Sequence, residues 1–201
     1  MKAFDFVQAL DAYAKSPWNN SPSLLKLFKS LLKKSRSFYR DHFEPGHFTA
    51  SSFVFDSNRE QGLLIHHKVL DKWLQPGGHA DGDENLLRVA QRELFEECGV
   101  NNLNLAWNGI IDIDRHSIPA REKEASHFHY DVRFLWNAHI DRIKLKIESS
   151  ELKDAQWMSW EEAKKLKIDA SVSRLFEKAL ALKRYRRASE KAVRDTLNTN
   201  L

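Results

Sequence analysis

Three carboxylates, Glu93, Glu96 and Glu97, fall within one helical turn of this chain. Like charges at that spacing repel one another. Read at about 100° per residue, Leu86, Leu87, Ala90, Leu94 and Cys98 form an apolar stripe. Glu97 projects into that stripe, and Glu93 and Glu96 run along its edge. A carboxylate on a buried helix face is costly unless it is paired or bound to a cation. Clustered hard oxygens suit Mg2+ or Mn2+. A cation held there could acidify a bound water and so supply a nucleophile. Glu97 and Glu93 are the best ligand candidates, and Glu96 either joins them or orients the attacking water. One of the three must take that water's proton; the sequence leaves open which.

The element that must carry these groups is a glycine loop running into a helix. Asp83 is a plausible N-cap and Gly99 a left-handed C-terminal residue, so the spacing predicts a helix from about Glu84 to Cys98. Just upstream, Trp73-Leu-Gln-Pro-Gly-Gly lets the backbone turn sharply and approach closely.

From Gly78 to Val100 the chain fits Gly-x5-Glu-x7-Arg-Glu-U-x-Glu-Glu-x-Gly-U, with U aliphatic, at Gly78, Glu84, Arg92, Glu93, Leu94, Glu96, Glu97, Gly99 and Val100. It thereby resembles the Nudix box. By composition alone such a match has a chance on the order of 10⁻⁷ to 10⁻⁶. The resemblance spans about Phe48 to Leu166. It implies an α/β fold, the Nudix-type α/β/α sandwich with a mixed sheet. It also implies Mg2+-dependent hydrolysis of a nucleoside diphosphate linked to some group X. A carbonyl at Gly77 is expected as a further metal ligand. So is Glu151 in the loop before the Trp157 strand, with Glu148 as its rival. Arg92 is expected to orient box carboxylates by pairing with Glu84 or Glu93. Two other classes stay open: a nucleotide-sensing module of the same fold, and an isoprenyl-diphosphate isomerase-like enzyme. The complete box argues against the sensor. Cys98, set at an unspecified position facing the core, argues against the isomerase.

Around the box, hydrophobic periodicity sets the remaining elements. Phe4 to Ala14 and Pro22 to Phe43 have helical spacing, giving an N-terminal helical extension over 1–46. At His47 the period becomes two, and a hairpin of 47–55 and 63–67 opens the main domain, 47–170. Leu103 to Ile113 reads as a broken strand, Asp114 to Ser126 as a mobile loop, and Phe128 to Ala138 as a strand. Ser159 and Glu162 form a capping box. A last helix from Ser171 to about Ala192 opens the C-terminal segment, 171–201.

Alternation along the Phe128 strand puts His127, His129, Asp131 and Arg133 on one face. With His79, the histidines and Arg133 could form a substrate wall that donates to phosphate oxygens. The same row also fits a half-solvated face, or the alternation of metal ligands, though no cysteine supports a zinc site. Trp73, Trp107 and Trp136 could stack on a base but suit a core as well.

Composition bounds the rest. The 201 residues are 42% hydrophobic and 30% charged, the balance of a globular chain. There is no apolar run of membrane length and nothing like a secretion signal. Cys98 is the single cysteine, so a reducing cytoplasm is the default. The net charge of +4 gathers at Lys26–Arg40 and Lys183–Arg187. Those clusters suit solvated helix faces, or attraction of a polyanion such as an RNA 5′ end. The expected partner is a small nucleotide substrate, and the N-terminal helices could support a homodimer.

Overall fold

The computed structural model describes residues 4–122, 124–147, 149–166 and 168–198. Helices α1 (Phe6–Ala14) and α2 (Pro22–Leu31) come first. The strands are β1 (Gly46–Asp56), β2 (Gln61–His67), β3 (Lys72–Leu74), β4 (Gly77–His79), β5 (Asn104–Leu105), β6 (Asp112–Ile118), β7 (His127–Asn137) and β8 (Leu152–Ser159). Helix α3 (Leu86–Cys98) lies between β4 and β5, and α4 (Trp160–Ala163) and α5 (Ala170–Asn198) follow β8.

One mixed sheet organises the chain. Its axis is β1, buried over its full length, as befits a strand with both faces covered. β7 runs parallel to it from Gly46↔Phe128 to Phe55↔Asn137. The other edge of β1 is shared: β4 pairs antiparallel at residues 49–51 and β2 at 55–56. β6 and β5 extend the sheet beyond β7, and β8 and β3 pair with β2. Helices cover both faces, which gives the expected α/β/α sandwich.

Each face has its own core. On one, Phe48, Ala50, Tyr130, Val132 and Phe134 meet Leu86, Val89, Ala90 and Leu94 of α3. Phe6 and Leu10 of α1 and Leu25 and Phe28 of α2 belong to that same core, so the N-terminal helices share the apolar interior of the sheet. On the other face, Phe53, Leu64, Leu135 and Met158 pack on Val172, Leu175 and Phe176 of α5. A polar clamp fixes α3: the Ser52 hydroxyl donates to the Ala90 carbonyl at 2.7 Å and accepts from the Trp136 indole at 2.9 Å.

Helix α5 is fastened by charge as well. The Arg133 guanidinium, 2% exposed, donates to Asp131 at 2.7 Å and to Asp112 at 3.3 Å. Asp112 also accepts from Lys178 at 2.7 Å and Arg174 at 2.9 Å, both on α5. Asp114 accepts from Arg174 at 2.8 Å.

That network explains one departure from the sequence reading. Residues 114–118 belong to β6, not to a mobile loop. Their polarity imitates a loop because Asp112 and Asp114 face buried cations instead of water. Three other departures have local causes. The second helix ends at Leu31 rather than Phe43, because residues 33–37 carry no apolar side chain to continue the period, and Arg36 turns left-handed at φ 67°. The broken strand read over 103–113 forms only toward its two ends, as the two residues of β5 and the first two of β6. The capping box at Ser159 and Glu162 forms with both of its bonds, but its helix is a single turn.

Asp112→Ala should leave the buried Arg133 and Lys178, and the half-buried Arg174, without their shared acceptor. The expected cost is about 3–5 kcal/mol in urea unfolding; a loss below about 1 kcal/mol would show the network to be dispensable.

Candidate active site

The strand carrying the glycines and the helix carrying the glutamates meet edge to face. β4 is held to β1 through Ser51↔Gly77 and Thr49↔His79. The Gly77 amide donates to the Glu97 carboxylate at 2.9 Å. A Cβ on Gly78 would lie 2.5 Å from the Glu93 carboxyl carbon, so this position admits hydrogen alone while Glu93 stays in place. Arg92 braces the junction, donating to Glu93 at 2.7 Å and to the His79 carbonyl at 2.6 Å. Of the two expected partners of Arg92, Glu93 is the one found. Glu96 sits on the outer edge, with its carboxylate 4.0 Å from the Arg92 guanidinium.

Several small features set the angle of α3. Asn85, not Asp83, is its N-cap and accepts from the Arg88 amide at 3.0 Å. Asp83 instead accepts from the Asn85 amide and from the Arg88 side chain. At the other end Gly99 takes φ 68°, as expected of that glycine. The preceding loop turns through Asp81 at φ 50° and Gly82 at φ 88°. Arg40 grips Asp81 with two bonds, at 2.7 and 2.9 Å, and the Gly82 amide donates to the Phe38 carbonyl. The N-terminal extension thus buttresses the glycine loop.

Electrostatically the junction is overloaded with negative charge. Glu97 is 9% exposed, and burial pushes its carboxyl up to about 8 against the opposing bond from Gly77. The charges of Glu93, Glu151 and Glu96 add to that rise. Burial also raises Glu93, opposed by Arg92. Glu151 is exposed, with its carboxylate 4.0 Å from the His67 ring, yet its charge is felt at Glu97. Glu148 lies outside the described residues. An all-oxygen donor set with unrelieved negative charge fits a hard divalent cation such as Mg2+.

The expected substrate wall divides. His127 and His129 join His47 and His79 in a group of touching imidazole rings. Burial holds His47 and His79 down at about 4 and His129 at about 2, so these rings are neutral at pH 7. Arg133 is separate from them. Its guanidinium is taken up by Asp131, Asp112 and Ser171, which leaves it no free edge for a phosphate. The tryptophans are engaged too: Trp136 is core, Trp107 meets Trp18 edge-on and Trp73 stacks on His66. Cys98 is fully buried, and burial pushes its thiol up to about 12.

Several residues escaped the sequence reading. His47, Thr49 and Ser51 stand in register with His129, Asp131 and Arg133. The hydroxyls of Thr49 and Ser51 lie 3.1 and 2.8 Å from Asp131. Their own alternation, polar at every second position of an aromatic strand, was the available signal.

Comparisons bear on this geometry. Residues 45–179 match the family model described as NUDIX domain. No curated protein matches the chain. Among solved structures, it is similar to the Escherichia coli dihydroneopterin triphosphate pyrophosphohydrolase, at 14% identity and a TM-score of 0.51, over 67% of this chain and 94% of that one. It is also similar to a MutT NUDIX hydrolase from Burkholderia pseudomallei, at 18% identity and a TM-score of 0.50, over 65% and 95% of the two chains. At these identities the likeness is one of fold.

Two outcomes are expected. Gly78→Ala should push the Glu93 carboxylate aside and weaken Mg2+ binding, while circular dichroism stays that of the parent; unchanged Mg2+ affinity would contradict the contact. Glu97 binds its proton more tightly folded than unfolded, so the stability it contributes is full below about pH 4.5 and is lost as pH rises toward 8. In chelator, the parent should therefore lose stability relative to Glu97→Gln across that window, by on the order of 3 kcal/mol, and Mg2+ should restore it. Parallel melting curves for the two proteins would refute the burial of that charge.

Proposed function

From the premise that this chain belongs to the NUDIX domain family, we propose that it is a Mg2+-dependent pyrophosphohydrolase of a nucleoside diphosphate linked to X. The enzyme is a hydrolase acting on phosphorus-containing acid anhydrides. The observation that carries the finer reading is the meeting of Glu97 and Glu93 with the glycine strand, where buried carboxylates have too few cations of their own.

Glu93, Glu96 and Glu97 would hold the metal, with the Gly77 carbonyl and Glu151 as further ligands. When held there, Mg2+, or Mn2+ in its place, would supply charge to neutralise the diphosphate oxygens and to acidify a water. The other work belongs to side chains. One of the box glutamates, Glu93, Glu96 or Glu97, accepts the proton of the attacking water. Arg92 keeps Glu93 aimed while anchoring β4 through the His79 carbonyl. Of the wall residues we keep His79 for substrate contact, where a neutral imidazole donates one hydrogen bond to a phosphate oxygen.

Candidate substrates are nucleoside triphosphates, ADP-ribose, dinucleoside polyphosphates and RNA 5′ ends. Among the described residues no helix is long and apolar enough to cross a membrane. With Mg2+ and that panel, Glu97→Gln should turn over about 10²–10⁴ times more slowly than the parent. Full activity in the variant would refute the assignment, and ADP-ribose raising the melting temperature without turnover in the parent would favour a sensor.

A further inference from the structure

Five histidines converge at one end of the polar sheet face: His47 on β1, His79 on β4, His116 on β6, and His127 and His129 on β7. Register brings them together, since His47 is paired with His129 across the parallel strands and His116 faces His129 from the other side. Ring centroids of His47 lie 4.8 Å from those of both His127 and His129, which are 5.2 Å from each other. One nitrogen from each of these three rings lies within 4.8 Å of the other two.

The bonds made by the far side of two rings fix what the near side offers. His47 Nδ1 stands 3.2 Å from the His42 carbonyl, and His127 Nδ1 stands 2.7 Å from the Ala125 carbonyl. A carbonyl only accepts, so each Nδ1 carries a proton and each Nε2 of the neutral ring presents a bare lone pair. His47 is 1% exposed and His127 4%. Both Nε2 atoms are buried, and neither meets a hydrogen-bond partner among the described residues. Two unpartnered acceptors in such a place are costly. An imidazole braced through Nδ1 on a backbone carbonyl, with Nε2 directed inward, is the arrangement of a metal-ligating histidine.

We propose that His47, His127 and His129 form a site for a first-row transition-metal dication such as Zn2+, separate from the carboxylate site on α3. Imidazole nitrogens suit Zn2+, whereas Mg2+ seeks the oxygens of the box. Bonds of 2.0–2.1 Å to a tetrahedral ion set ligand nitrogens about 3.3 Å apart, so small rotations of the three rings close the site. Three nitrogens leave a fourth position. His79, its ring 4.9 Å from that of His129 and 5.1 Å from that of His47, borders it. An ion there would tie the start of β1 to the start of β7, the parallel pair at the centre of the sheet.

Co2+ reads the donor set directly. Added to chelator-treated protein, it should give the intense visible bands of tetrahedral, nitrogen-ligated cobalt, with Zn2+ displacing it one for one and excess Mg2+ leaving the bands intact. The Glu93→Gln/Glu97→Gln double variant should keep those bands. His127→Gln should weaken Co2+ binding by about a hundredfold or more, since even an outer partner of a ligand is worth 10–100-fold. The faint spectrum of octahedral, oxygen-ligated cobalt would overturn the proposal, as would bands lost in the glutamate variant and kept in His127→Gln. If His127→Gln does not fold, the parent and the glutamate variant decide between them: bands in both support the site, and absence from either overturns it.

Discussion

The structure turns on a carboxylate taken out of water. Glu97 sits on the buried side of α3, where, among the described residues, the backbone amide of Gly77 is its hydrogen-bond donor. A single neutral donor does not offset the desolvation of a full charge, and Glu93, Glu96 and Glu151 deepen the deficit. Much of the remaining architecture keeps this arrangement from relaxing. Ser52 bolts α3 to β1 and to Trp136, Arg92 pins Glu93 to the backbone of β4, and Arg40 holds the intervening loop by Asp81. A divalent cation bound there, as proposed above, would relieve that deficit, so fold and chemistry would rest on the same electrostatics.

The opposite sheet face handles charge by another route. There Asp112, Asp114 and Asp131 are matched by Arg133, Arg174 and Lys178, so the buried charges are paired within the chain. Arg133 and Glu97 are both buried ionisable groups, yet one is saturated with partners and the other is not. That difference is the ground on which Glu97, and not Arg133, is proposed to bind a ligand. The histidine group lies between these extremes: burial keeps His47, His79 and His129 neutral, and the rings of His47 and His127 turn nitrogens inward that have no partner among the described residues.

Local signals in the sequence located the glutamate helix well. The conflict of Glu97 with its apolar stripe, the αL glycine at Gly99 and the alternation of β7 all read correctly from short range. What escaped depends on pairing. That His47 stands beside His129 follows from a parallel register between strands some eighty residues apart, which no local pattern encodes. β6 was hidden beyond Ile113 because Asp114 and the polar residues after it imitate a loop, and the partner of Asp114, Arg174, lies far along the chain on α5. Arg133 looked like a wall donor for the same reason: alternation gives its face, but not the three aspartates that occupy it.

The central claim is that Glu97, its carboxyl pushed up to about 8 by burial, holds a proton for want of a cation and gives it up to receive one. Calorimetric titration of the chelator-treated protein with Mg2+ at pH 7, repeated in buffers of different ionisation enthalpy, counts the protons released. The account predicts about one proton released per chain, disappearing in Glu97→Gln. Mg2+ binding with no proton release, or no binding at all, would contradict it.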